Sequence, residues 1–415
     1  MTIRADAEAL DRTDPLRAFR ERFVFAPDGP IYMDGNSLGR LPRATSEALD
    51  RVVAREWGGR LVEAWEDWID LPQRVGARLA PLIGAAPGEV LLADSTSANL
   101  HRLAGAVLDA FPTRRTIVTD GANFPTDRYV LAGLARERGG ELRLVEGDPV
   151  EGPGVEQVEA ALDDGVALIC LSHAAYRSAA LADMTAITAA AHRHGALVLW
   201  DLSHSVGVVP IDLAAAGADL AVGCTYKYLN GGPGSPAFLF VRRDLQEALR
   251  PPLWGWFGHA DQFAFEGSFR PAHGITRFLV GSPPILGLTA AGVGIDLVTE
   301  AGLDAIRAKS LAATALMLGR YDERLAPLGM GLGTPRQAER RGSHLALLHP
   351  EGLALSRWLR AEGGVVADFR PPDTIRLAAS PLYTAYTEAW DAMEALSAGL
   401  ENGAHRGFAA GGRVT

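Results

Sequence analysis

Cysteine is scarce: the chain of 415 residues has two, Cys170 and Cys224. A disulfide framework and a four-thiolate zinc site are therefore both excluded, no metal centre is expected, and a reducing cytoplasm is the expected compartment. Positive charge is also in short supply, with 40 Lys and Arg against 50 Asp and Glu and a net charge of −10. That balance argues against a nucleic-acid partner, because such binding depends on cations releasing counterions from phosphates. No apolar run reaches 18 residues, and charges are scattered through the first 23 residues. Neither a membrane helix nor a signal peptide is expected, so the protein reads as soluble and not exported. No G-x-G-x-x-G follows the first predicted strand, which removes a nicotinamide-dependent Rossmann enzyme. Internal repeats are absent too.

What the chain does have is the composition of a globular protein, 48% hydrophobic and 22% charged, at a length that divides into two or three packed units. Its middle alternates β-rich runs with helical stretches, the pattern of a mostly parallel sheet with crossover helices. Strands are expected at 116–119, 142–145, 166–171, 196–200, 220–223 and 237–241, and helices at 100–108, 126–138 and 184–194. The pattern changes near residue 290 to a long helix, a Gly/Pro/Arg-rich loop at 331–343, then short strands and helices. We expect an N-terminal segment (1–45) packing on a small α+β C-terminal domain (289–415), with a large domain (46–288) between. Residues 405–415 are the one expected frayed end.

Ligands of open α/β sheets bind at the carboxyl ends of the strands, so residues just beyond those ends are the first candidates. The strongest signal is WDLSHSVG at 200–207 followed by GCTYKYLNGGPG at 223–234. Asp201 ends a buried strand, His204 follows three residues later, and Lys227 lies in a turn-rich loop. Pyridoxal 5′-phosphate (PLP) chemistry needs a lysine to form an imine and a carboxylate to keep the pyridine nitrogen protonated, and Lys227 and Asp201 fit those roles. Taken singly, each has a plainer reading as a solvated lysine, a structural histidine or a helix cap. It is their order and spacing that point to a cofactor.

A phosphate needs donors, and 94–100 (DSTSANL) opens an apolar helix whose N-terminus offers free N–H groups. There Thr96 and Ser97 either bind phosphate or form an ordinary cap. Phe124, in NFPTD at 123–127, is placed to stack on a flat heterocycle or to fill core, and Asp127 to bind a ring hydroxyl or a neighbouring donor.

These segments resemble kynureninase, a fold-type-I PLP enzyme of tryptophan breakdown, over almost the whole chain. The likeness runs through YMDGNSLGRLP at 32–42, EWGGRL at 56–61, STSANL at 95–100, NFPTD, WDLSHSVG and GCTYKYLNGGPGSPAF at 223–238. It continues through GWFGH at 255–259, GSPPI at 281–285, RGSHLAL at 341–347 and PLYTAYTEAWDA at 381–392. The resemblance implies an α/β fold with a mostly parallel seven-stranded sheet in the large domain. It makes Lys227 the imine-forming lysine and Asp201 the partner of the pyridinium nitrogen. Thr96, Ser97 and Tyr226 would bind phosphate, Phe124 would stack on the ring, and Asp127, Ser172 and His204 would help to hold it. Trp256 and Ser282 correspond to residues contributed across a homodimer interface, and Arg376 to the arginine that binds the substrate α-carboxylate. The loop at 63–72 is shorter than its counterpart in the family, with Trp65 or Trp68 standing in for its substrate-contacting tryptophan. HAAYRSA at 173–179 and Ala378-Ala379-Ser380 also depart from the family pattern, and these differences bear on substrate preference more than on reaction type.

The implied reaction is hydrolysis of L-kynurenine or 3-hydroxykynurenine to the matching anthranilate and L-alanine. Lys227 would remove the α-proton, and Tyr226 would donate a proton in later steps or serve the phosphate alone. Three rivals stand beside it: another fold-type-I reaction such as desulfuration or transamination, a related enzyme acting on a modified kynurenine in a biosynthetic pathway, and a non-catalytic PLP-binding homologue. A desulfurase needs a mobile thiolate, and Cys170 falls within a predicted buried strand while Cys224 sits three residues before the lysine.

Overall fold

The computed structural model describes residues 3–408. After helix α1 (Arg4–Thr13), the large unit is built from β1 (Val90–Leu92), α2 (Thr96–Ala110), β2 (Thr116–Asp120), α3 (Pro125–Glu137), β3 (Glu141–Val145), β4 (Val166–Ser172), α4 (Met184–Arg193), β5 (Leu197–Asp201), β6 (Leu220–Gly223) and β7 (Phe238–Val241). Its seven strands lie in the order β1-β7-β6-β5-β4-β2-β3. The five from β3 to β6 run parallel, and β7 is antiparallel to both of its neighbours.

Both faces of this sheet are covered, so its central strands β4 and β5 are apolar at every position up to their polar carboxyl ends, Ser172 and Asp201. Ile169, Leu171, Val198 and Trp200 face one cluster, with Met184 and Ile187 of α4 packed against it. Leu168, Cys170, Leu199 and Val222 face the other, beneath Leu100, Leu103 and Val107 of α2. Local signals set the helix ends. The Asp183 carboxylate accepts from the Ala186 N–H at 2.9 Å to cap α4, and Gly195 turns the chain out at φ +69°.

Two helices follow, α5 (Ile285–Ala301) and α6 (Leu303–Arg320), where the sequence led us to expect one. Gly302, at φ +78°, separates them in a conformation that residues with a Cβ avoid. Beyond them, β8 (Gly331–Leu332), β9 (Leu345–Leu348), α7 (Gly352–Ala361), β10 (Asp368–Arg370), β11 (Thr374–Leu377) and α8 (Tyr386–Glu401) form an antiparallel sheet, β10-β11-β9-β8, with its own helices. Its core includes Met317, Leu345, Leu359, Ile375 and Met393, and Ala7 of α1 and Met33 join it. Asp11 holds the start of α8, accepting from the Tyr386 N–H at 2.7 Å.

The end expected to fray is packed where it begins. His405 is 1% exposed, and its ring bonds to the Gly399 carbonyl at 2.9 Å and to Glu351 at 3.0 Å. Residues 409–415 lie outside the described residues. Among the described residues, no single helix is long and apolar enough to cross a membrane.

Candidate active site

The carboxyl ends of the parallel strands set the floor of the site. In the register of the sheet Ser172 lies beside Asp201, and Asp201 beside Val222. The Asp201 carboxylate accepts from the Ser203 N–H at 2.8 Å, and that turn brings His204 back over the strand end. Between β6 and β7 the Lys227 loop folds on itself. Thr225 Oγ donates to the Pro236 carbonyl, and the Gly231 N–H donates to the Thr225 carbonyl.

These turns enclose a cavity of about 270 Å³. Asp127 and Asp201 form its floor, Phe124 and His204 lie in its walls, and Tyr226 and Lys227 close one side. The N-terminus of α2 enters from the opposite sheet edge, bringing Ser95, Thr96 and Ser97. Ser95 is the helix cap, accepting from the Ala98 N–H at 3.3 Å, which leaves Thr96 and Ser97 as the first helical residues with free donors.

Lys227 Nζ and His204 Nε2 are 2.8 Å apart. Burial, reinforced by the Lys227 charge, holds the His204 imidazole well below its ordinary range, so the ring is neutral and its Nε2 can accept a hydrogen bond from Lys227 Nζ. Burial and the adjacent Asp201 carboxylate push Asp127 well above the usual carboxylate range. Burial also raises Tyr226, which stays a phenol at neutral pH. Two buried polar atoms here have no partner, Asp127 Oδ2 and His204 Nδ1. Unsatisfied polar atoms beside a cavity mark a place built for a polar ligand.

PLP fits this donor set. The start of α2 would take the phosphate, the carboxylate floor the ring nitrogen, Phe124 and His204 the ring faces, and Lys227 the aldehyde carbon.

Five sequence candidates stand outside the cavity lining. Ser172 is one step below it, its Oγ donating to Asn123 Oδ1 at 2.7 Å. Arg376 is 1% exposed in β11. Its Nε donates to Asp368 Oδ2 at 2.6 Å, an Nη to Ser37 Oγ at 3.2 Å, and the other Nη to the Tyr176 carbonyl. The Tyr176 ring meets Phe124 edge-on at 5.2 Å, and His344 meets His204 at 5.8 Å, so the arginine cluster abuts the cavity walls. Trp65 packs against Trp68 and Phe257, with ring centroids 5.7 and 6.0 Å away, and does not face the cavity. Those aromatic neighbours cover the ring where the sequence led us to expect a substrate contact. Trp256 and Ser282 lie on the surface of the single chain, Trp256 at 44% exposure.

Sequence reasoning missed Thr126, Ser203 and Ser235, which also line the cavity, and Asp368 beneath Arg376. Ser203 and Ser235 sat inside motifs already singled out. Asp368 gave no signal, because its pairing depends on the β10–β11 register.

A sheet of this order, with a lysine after one strand, a carboxylate ending its neighbour and a phosphate-ready helix start, defines a PLP-dependent enzyme of the aminotransferase class V type. The family described as aminotransferase class-V matches residues 49–349, and the one described as kynureninase C-terminal domain matches residues 306–396. The chain belongs to the kynureninase family. It is 45% identical to kynureninase from Pseudomonas fluorescens over 404 residues, 95% of each chain. Identity to kynureninase from Burkholderia pseudomallei (strain 1106a) is also 45%, covering 98% of this chain and 97% of that one. Among solved structures, a cysteine desulfurase from Thermococcus onnurineus NA1 superposes with a TM-score of 0.78 at 19% identity, covering 95% of this chain and 98% of that one. The cysteine desulfurase CsdA from Escherichia coli gives 0.80 at 17%, covering 93% and 98%. At those identities the likeness is one of fold.

Proposed function

We propose that this chain is a PLP-dependent hydrolase that cleaves the Cβ–Cγ bond of L-kynurenine, or of its 3-hydroxy form, to give an anthranilate and L-alanine. The observation that carries this reading is 45% identity to kynureninases along almost the full chain, joined to a cavity that sets Lys227, Asp201 and the start of α2 together. The fold neighbours are desulfurases, but desulfuration needs an accessible thiolate. Cys170 is 0% and Cys224 2% exposed, and burial pushes both thiols up.

PLP, when bound, supplies an electron sink conjugated to the substrate α-carbon. The protein's own groups do the rest. Lys227 Nζ takes the α-proton, and neutral His204, 2.8 Å away, accepts a hydrogen bond from it without adding a competing charge. Asp201 faces the ring nitrogen, and Asp127 beside it, held above the usual carboxylate range by burial, is placed to meet the ring or a neighbouring donor. Water adds to the γ-carbonyl, the Cβ–Cγ bond breaks, the acyl group leaves as anthranilate, and Cβ takes a proton, for which the Tyr226 phenol is the donor. Thr96, Ser97 and Tyr226 serve the phosphate, Phe124 the ring face, Ser172 supports Asn123 beneath the site, and Arg376 binds the α-carboxylate through its guanidinium fork.

The working unit in this reading is a homodimer in which a second copy brings Trp256 and Ser282 over the cavity. It is supported by a run of exposed apolar side chains, Leu253, Trp254, Trp256, Phe263 and Phe265, each 44% exposed or more. Two free, buried cysteines support a reducing cytoplasm. We retain 1–45, 46–288 and 289–415 as units, with α5 bridging the last two because its Leu288, Ala291 and Ile295 sit in the core beside the large sheet.

Incubating the holoenzyme with L-kynurenine should release anthranilate and L-alanine in equal amounts, and Lys227→Ala should abolish the release. Sulfide from cysteine, or a keto acid, with no anthranilate would overturn the assignment. Comparing turnover of kynurenine and 3-hydroxykynurenine would identify the preferred ring.

A further inference from the structure

We propose that Asp368 is a positioning residue for substrate binding: it fixes the direction of the Arg376 guanidinium, so that the edge formed by the two Nη atoms, which now bonds Ser37 Oγ and the Tyr176 carbonyl, receives the α-carboxylate in exchange for those neutral partners. The proposal rests on the reading of Arg376 as the carboxylate anchor.

Asp368 and Arg376 are directly opposed partners across the β10–β11 ladder. Cross-strand partners on one face are held a few ångströms apart by the backbone itself, so the pairing needs no long side chain to search for its mate. Both side chains are sealed, at 0% exposure for the carboxylate and 1% for the guanidinium. Asp368 Oδ2 takes Nε at 2.6 Å and the adjacent Nη, which together make one edge of the planar fork. The other contacts of the fork, Ser37 Oγ and the Tyr176 carbonyl, fall on the Nη atoms. A guanidinium held along one edge by the Asp368 oxygen, with Ser37 and Tyr176 on its Nη atoms, has little freedom to turn. It therefore meets a carboxylate already oriented, at little cost in side-chain entropy.

A plainer role for Asp368 is charge neutralisation, since a buried guanidinium without a counter-ion is strongly unfavourable. Two features speak for position as well. The carboxylate also accepts from Arg370 Nε at 2.9 Å, so it is itself held from the neighbouring residue pair. Its Oδ1 is buried without a partner, so its orientation is set by the arginines alone. Neutralisation needs only a negative charge nearby, whereas positioning needs that charge at one place.

The test titrates holoenzyme with L-alanine, which carries the α-carboxylate, and with ethylamine, which lacks it, following heat by calorimetry and the thermal midpoint in parallel. Asp368→Glu keeps the charge and displaces it by one methylene; Asp368→Asn keeps the shape and removes the charge. Both should weaken L-alanine binding by roughly 10- to 100-fold, the range of one charge-assisted hydrogen bond, and leave ethylamine binding unchanged. KM for kynurenine should rise more than kcat falls. If Asp368→Glu binds L-alanine within about twofold of wild type, neutralisation alone suffices and the proposal falls. Equal weakening toward both ligands would also overturn it, marking general damage to the site. Arg376→Gln separates the parent reading: if that variant binds L-alanine normally, the anchor assignment itself is wrong.

Discussion

An imidazole buried without its proton ties stability to pH. His344 is 1% exposed, and burial, followed by the nearby Arg376 charge, brings it down from 6.5 to about 3. Below pH 6.5 the unfolded chain takes up a proton at this residue that the folded chain refuses until about pH 3. Each pH unit in that window therefore favours unfolding by about 1.4 kcal/mol. His344→Gln removes the titration, so the stability gap between wild type and variant should shift toward the variant by about 2 kcal/mol between pH 7.5 and pH 5, read from denaturant unfolding at the two pH values. A gap that does not move with pH would show that the ring is not held neutral. At this scale the sequence was most informative where chemistry follows spacing. Asp201, His204 and Lys227 could be picked out because they fall at fixed distances after predicted strands. Asp368 and His344 could not, since each matters through a partner that only the tertiary fold brings alongside, Arg376 across a strand pair and His204 from another unit.

Two segments press on the backbone of the Lys227 loop, and each does so with a glycine. Gly39 approaches the Lys227 carbonyl and Asn230, and Gly294 of α5 approaches the Leu229 carbonyl, closer than any Cβ tolerates. The Gly39 N–H also donates to the Tyr226 carbonyl at 2.7 Å. In both places the opposing atom is backbone, which cannot rotate out of the way. Gly294→Ala should therefore push α5 and the loop apart, lowering stability by about 1–3 kcal/mol and weakening retention of PLP on dialysis. Unchanged stability together with unchanged cofactor retention would show that the contact gives freely. The six strands expected from 116 to 241 and helices α3 and α4 were legible to within a residue or two, because buried strands and capped helices write themselves as apolar runs and turn residues; α2 begins four residues earlier than expected, and the short edge strand β1 was not foreseen. Strand direction was not legible: nothing in the periodicity of 238–241 says that β7 runs against β6. The division of the long C-terminal helix at Gly302 was likewise hidden, since a single glycine within an apolar stretch does not by itself end a helix.

For the whole molecule, the exposed aromatic run at 253–265 is the feature that a single chain leaves unused. Light scattering should give twice the 44.1 kDa chain mass. Phe265→Glu, at a side chain 76% exposed, should shift the protein toward monomer and lower kynurenine turnover with it. A monomeric wild type with full activity would remove the shared-site reading. The overall architecture was readable from the sequence because element order constrains an α/β fold tightly, while the assembly was reached only through resemblance. One consequence concerns synthesis. Ser37 and Arg376 touch across 339 positions of chain. The large sheet is complete by residue 241, yet Ser37, in the segment whose Gly39 lies against the Lys227 loop, meets Arg376 only after β11 has emerged from the ribosome. Such distant closure is slow and comes late in folding, so a nascent chain has all the residues that line the cavity, Asp94 to Ala237, well before the Arg376 cluster beside it can form.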